Sequence, residues 1–143
     1  MHILFALALV LQASSPIRIY VFTQTNPSGI VDADSKVRTA AVEGLTKTLE
    51  KSKTLQVVTD PKDATIQVEI TKTEIVEEKD SLSALNNALN GAHNSEVKKV
   101  PYRVAVLRYG EYSTELKGKA AKNEASLARA IEGWVKDNAA RLK

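Results

Sequence analysis

Residues 55–71 read LQVVTDPKDATIQVEIT, and the second half of this stretch constrains the fold more than any other. Ala64, Ile66, Val68 and Ile70 alternate with Thr65, Gln67, Glu69 and Thr71. A strand built from them buries one face and wets the other. A shorter β-rich run spans 55–59, and Asp60, Pro61, Lys62 and Asp63 hold the two apart. Pro61 cannot donate to a ladder and presets a turn. The two runs are therefore expected to pair as an antiparallel hairpin.

Upstream, Ile17, Ile19 and Val21 alternate with Arg18, Tyr20 and Phe22 in a strand apolar on both sides for much of its length, as a central strand would be. Asn26, Pro27, Ser28 and Gly29 then make a turn. From 35 to about 51, Val37, Ala41, Leu45 and Leu49 recur every fourth residue, which predicts an amphipathic helix capped by Asp34 or Ser35. Downstream, Val104 to Leu107 and Tyr112 to Lys117 flank Gly110, which predicts a second hairpin. The chain closes on Leu127, Ile131, Trp134, Val135 and Leu142, a helical stripe with Asn123 as its expected cap. Trp134, lying on that stripe, reads as a core anchor rather than a binding platform. Between the hairpins the composition turns to serine, asparagine and alanine. There Leu82, Leu85 and Leu89, between Asp80 and Gly91, predict a short, weakly specified helix within a flexible insert at about 79–99.

A chain of 143 residues with 43% hydrophobic content can build one core, so residues 16–143 are read as a single domain. With no cysteine, packing alone must stabilise it, and neither a thiolate nucleophile nor a lipid-accepting cysteine is available. Before that domain, nine consecutive apolar residues from Ile3 to Leu11 precede small and polar ones. This is the layout of a secretory signal peptide, with cleavage expected after Ala13, although basic residues are missing at its start. As a helix those nine residues rise only about 13 Å, against a hydrocarbon core of about 30 Å. No integral span is expected in the mature chain, and its location is expected to be periplasmic or secreted.

Candidate chemistry is sparse. His93, the one histidine beyond the leader, could be paired with Ser95 and a distant aspartate, but no nucleophile-elbow pattern surrounds them. Asp32 and Asp34 alternate like the start of a calcium loop whose glycine and terminal glutamate are missing, and they fit a helix N-terminus better. Glu74, Glu77 and Glu78 read as a solvated strand end in the absence of facing carboxylates. Lys98, Lys99, Arg103, Lys117, Lys119 and Lys122 are the candidate contacts for an anionic envelope surface, with ordinary surface charge as the alternative. The balance of 20 basic to 17 acidic residues is too even for the basic field a nucleic-acid binder needs. No metal, cofactor or catalytic site is assigned.

The succession of a strand, the helix VRTAAVEGLTKTLEKS, then LQVVTDPKDATIQVEIT, a second hairpin and a closing helix resembles small exported bacterial envelope modules, of the kind seen in the N-terminal domain of TolB and in CsgG-like proteins. The resemblance covers about residues 17–72 and is one of pattern. It brings no β-propeller and no partner contact with it. The expected fold is α+β: a mixed, mainly antiparallel sheet with two long helices on one face, in the order β-α-β-β-(α)-β-β-α. The expected function is that of a non-enzymatic exported binding module for a protein or another envelope component. A small secreted hydrolase, or a structural subunit assembling through a sheet edge, is the alternative.

Overall fold

The computed structural model describes residues 15–25, 28–29, 31–79, 89 and 97–142. Its elements are β1 (Ile17–Phe22), α1 (Ala33–Leu49), β2 (Leu55–Val57), β3 (Ile66–Lys79), β4 (Val97–Tyr109), β5 (Tyr112–Lys119) and α2 (Ala125–Asp137). The strands form one sheet in the order β2-β1-β3-β4-β5. β1 is parallel to both its neighbours, whereas the β3/β4 and β4/β5 ladders are antiparallel and much longer. The class is α+β with mainly antiparallel strands.

The expected hairpin between 55–59 and 64–70 does not form. β2 pairs with the first half of β1, Ile17 to Ile19 opposite Leu55 to Val57. β3 pairs with the second half on the other flank, Ile19 to Phe22 opposite Ile66 to Glu69. The connection crosses from one flank of β1 to the other, fastened where Val58 N donates to Ile19 O and Thr65 N to Arg18 O, both at 2.9 Å. Pro61 does begin a turn, a short 3-10 turn in which Asp60 Oδ1 accepts from Lys62 N. Alternation decides which face a strand buries but not which strand lies beside it. Here the apolar β1 took the place between the two runs.

The hairpin across Gly110 forms as expected, with Tyr109 opposite Tyr112 and Gly110 at φ +56°, a conformation open to glycine without penalty. β3 and β4 run further than the alternation implied. β1 pairs with β3 only as far as Glu69, and β5 pairs with β4 only from Tyr102 onward. Ile75 to Lys79 and Val97 to Pro101 therefore form a ladder only with each other, as a two-stranded arm that Ala120 N joins at its base by donating to Pro101 O at 2.9 Å. Lys79 and Val97 to Lys99, assigned above to an insert, belong to these strands. The predicted helix around Leu82 and Leu85 lies outside the described residues, as do His93, Ser95 and the leader.

Ile19, Val21, Ile66, Val68, Ile70, Ala105 and Leu107 form the covered face of the sheet. Ala41, Leu45 and Leu49 of α1 and Leu127, Ala128, Ile131 and Val135 of α2 close over it. The first predicted position of the α1 stripe, Val37, is 39% exposed. The cap of α1 is Asp32, whose Oδ1 accepts from Ser35 N at 2.7 Å, not Asp34 or Ser35. Asp34 instead pairs with Arg38 one turn on. Asn123 does not cap α2 either: it and Glu124 both adopt left-handed backbone, at φ +56° and +51°, and the helix starts after them without a side-chain cap. Trp134 is half-buried at the margin of the core, stacked on Tyr112 with ring centroids 5.9 Å apart.

Candidate functional site

The six candidate cations do not form one basic patch. Lys117 and Lys119 stand on the sheet face away from the helices, where their charges are met. Lys117 Nζ lies 2.8 Å from Glu74 Oε2 and 3.5 Å from Glu115 Oε1. Lys119 Nζ lies 3.1 Å from Glu78 Oε2, and Glu78 also accepts from the Tyr102 hydroxyl. These bonds hold the Glu74 and Glu78 carboxyls below the usual carboxylate range, Glu74 chiefly through Lys117 and Glu78 chiefly through Tyr102. They raise Lys117 through Glu74, Lys119 through Glu78 and Tyr102 through Glu78. Lys98 sits opposite Glu78, and Lys99 is opposite Glu77 on the other side of the arm. Lys122 is exposed in the turn before α2. Glu74, Glu77 and Glu78 therefore face cations and a phenol across the strands, rather than one another.

Arg103 turns toward the helices. Its Nε donates to Glu124 Oε1 at 2.9 Å and its Nη1 to the Thr73 hydroxyl. Glu124 is 4% exposed, and its Oε2 has no partner among the described residues. The left-handed backbone at 123 and 124 sets this carboxylate under the sheet, tying the base of the arm to the start of α2. Opposite the helices, Arg108 Nη1 binds Glu69 Oε2 at 2.7 Å, which allows Glu69 to be 7% exposed on the face expected to be wet. Near the start of α1 a smaller hollow of about 320 Å³ is lined by Thr23, Asp32, Arg38, Glu69 and Thr71. Its charged groups are spent on Ser35 N, Asp34 and Arg108.

The larger hollow, about 1010 Å³, opens at the other end of the sheet, where β1 begins and both helices end. Three local devices build it. After α1 the chain turns through Ser52 N to Leu49 O at 3.0 Å, and Ile17 N then takes Thr54 O at 2.9 Å, which fixes Lys51 and Lys53 beside the start of β1. Trp134 O accepts from both Asn138 N and Asn138 Nδ2, which ends α2. The Tyr109 hydroxyl donates to Arg141 O at 2.6 Å and holds the tail, so that Leu142 packs back on the core. The resulting lining is divided. Pro16, Ile17, Val135, Ala139 and Leu142 supply apolar surface, while Arg18, Lys51, Lys53 and Lys136 stand against one carboxylate among the described residues, that of Glu132. None of these five charged groups is in an ion pair among the described residues.

Set against models of protein families and against curated proteins, the chain matches none. Among the described residues no group of three or more His, Asp or Glu side chains is placed to hold a metal ion. No helix among them is long and apolar enough to cross a membrane.

The sequence reading missed this hollow because its parts lie on four segments, 15–18, 51–54, Thr65 and 132–142, that only the tertiary fold brings together. Lys51 and Lys53 in EKSKT were legible as a basic end to α1. Nothing in the pattern placed them beside Arg18 or Lys136.

Proposed function

We propose that the protein is an exported, non-enzymatic module that binds an envelope component in the hollow at the foot of the sheet. The observation that carries this reading is the lining: an aliphatic floor rimmed by four cations, none of them in an ion pair among the described residues, with Glu132 as their one described counter-charge. Such a wall can hold a ligand by burial and charge, and a few polar groups placed on an apolar pocket are what orient one. The leader-like run from Ile3 to Leu11 and the resemblance to TolB-type and CsgG-like envelope modules support the location. Assembly through a sheet edge is less well supported. Of the edge strands, β2 is only three residues long and β5 carries Glu115, Lys117 and Lys119, while the arm carries Glu77, Glu78, Lys98 and Lys99, charges that oppose strand addition.

Two measurements test the proposal together. N-terminal sequencing of protein recovered from the periplasmic or culture fraction of the native host should begin at Ser14. Envelope extract passed over the immobilised protein should leave a component that a Lys51→Glu/Lys53→Glu variant fails to retain. An intact Met1 in the cytosol, or retention indifferent to the two substitutions, would refute it.

A further inference from the structure

We infer that the ligand of the hollow is a single-chain lipid anion, with its acyl chain on the floor and its headgroup among the rim cations. The inference rests on the binding-module reading above and adds the class of ligand.

The argument begins with the rim. α1 and α2 both end at the hollow, so their last carbonyls put partial negative charge there. A lysine at each end is what such carbonyls attract, and Lys51 and Lys136 meet that need. Lys53, two residues past Lys51, and Arg18, on β1, are additional to it. With Glu132 as the only acid among the described residues of the lining, these side chains are positive beyond what the helix ends require. A cationic or neutral polar ligand would gain nothing from it.

The floor excludes a purely ionic occupant. Ile17 and Leu142 are half-buried and Ala139 is exposed, leaving apolar surface that inorganic phosphate would desolvate without covering. A volume of about 1010 Å³ is at the upper end of the range for small-molecule sites and leaves room for a chain as well as a headgroup. An amphiphile satisfies both halves of the wall at once, and the charge pattern selects an anionic one.

The test uses dodecyl phosphate below its micellar concentration, titrated calorimetrically into the chain from Ser14 onward, the form expected after export, which retains every described element. A one-to-one complex is expected. Dodecyl maltoside, which has the same chain without the charge, should bind at least about tenfold more weakly, and inorganic phosphate should give no heat. Lys51→Glu/Lys53→Glu should weaken dodecyl phosphate at least about tenfold while lowering the thermal midpoint by no more than about 4 °C, the cost of a reversed charge at the end of α1. Ala139→Trp, which fills the floor from an exposed turn, should weaken both amphiphiles. Equal affinity for the two amphiphiles, indifference to the lysine reversals, or no binding by the wild-type chain would overturn the inference. If dodecyl phosphate fails while retention of an envelope component still depends on Lys51 and Lys53, the ligand class is wrong and the module reading stands. If both fail, both fall.

Discussion

Gly118 is where sheet and helix meet backbone to backbone. A Cβ built there would run into Leu127 N and lie 2.6 Å from its Cα, both backbone atoms, so no side-chain adjustment relieves it. Gly118→Ala must push α2 off β5, and Lys119 N, which donates to Ser126 Oγ, would lose its partner. A cost of about 2–3 kcal/mol is expected, at the upper end for overpacking, read as a lower urea midpoint with an unchanged slope. A midpoint within experimental error of wild type would mean that the close approach is absent in solution. The Arg103 and Glu124 pair belongs to the same scale. Removing one partner of a buried pair leaves a charge without compensation, so Arg103→Met should cost about 3–5 kcal/mol. Adding Glu124→Leu removes the charge that this leaves behind, so the double variant should recover much of the loss. Recovery of nothing in the double variant would show that the two side chains do not act as a pair. Neither feature was legible in the sequence: YSTELKGKA reads as a strand with a glycine near its end, and KNEAS as a polar turn.

At the scale of elements, α2 shows how much a periodic stripe can and cannot say. Leu127, Ile131 and Val135 are buried as their spacing implies, but Trp134 falls at the edge of the stripe and stacks on the partly exposed Tyr112. Trp134→Ala should therefore cost about 2–3 kcal/mol, below the 3–5 of a wholly buried aromatic. Tyr112→Ala should red-shift the indole emission without unfolding the chain, whereas unchanged emission would place the indole elsewhere. The strands were legible as strands because alternation is local, and the faces of β1 and β3 followed from it. Their order in the sheet was not, because β2 and β3 carry the same pattern whether they pair with each other or flank β1. The bulge in β3, a register shift between Ile70 and Lys72 beside the point where β1 stops, was not legible either, because Ile75 and Val76 are adjacent and fit both phases of the alternation. Past the bulge, pH bears on the cross-strand bonds. Glu74 and Glu78 have lowered pKa values in the fold, so their stabilisation is complete above the ordinary value of 4.5 and is lost as pH falls through the lower folded values. Lys117 and Lys119, raised from 10.5, and Tyr102, raised from 10.0, stabilise fully below those values and lose that contribution as pH rises through the folded ones. Amide exchange corrected for intrinsic rates should show arm protection level between about pH 5 and 9.5 and falling on either side. A slope within that window would contradict these partners.

At the scale of the whole molecule, the chain divides into a body and an arm that share two strands but not a core. Each member of the core cluster lies between Ile19 and Ile70 or between Ala105 and Val135. Ile75 and Val97 in the arm are 58% and 47% exposed. The fold should therefore tolerate losing the arm. Glu74 and Tyr102 are direct cross-strand partners, so Asn-Gly in place of residues 75–101 would close β3 onto β4 with a two-residue turn suited to an antiparallel pair. The change removes the bonds from Glu78 to Tyr102 and Lys119, which are solvent-facing and worth little, and the Pro101 O acceptor of Ala120 N, and it keeps Thr73 and Arg103 one pair in from the turn. The shortened chain is expected to unfold cooperatively within about 1 kcal/mol of the full one, with a somewhat smaller urea slope because less surface is exposed on unfolding. Its binding of dodecyl phosphate should be unchanged, since the hollow lies at the opposite end of the sheet. Loss of cooperative unfolding would show that the arm is part of what holds the body together. A folded but non-binding variant would instead move the ligand site from the foot of the sheet to the arm.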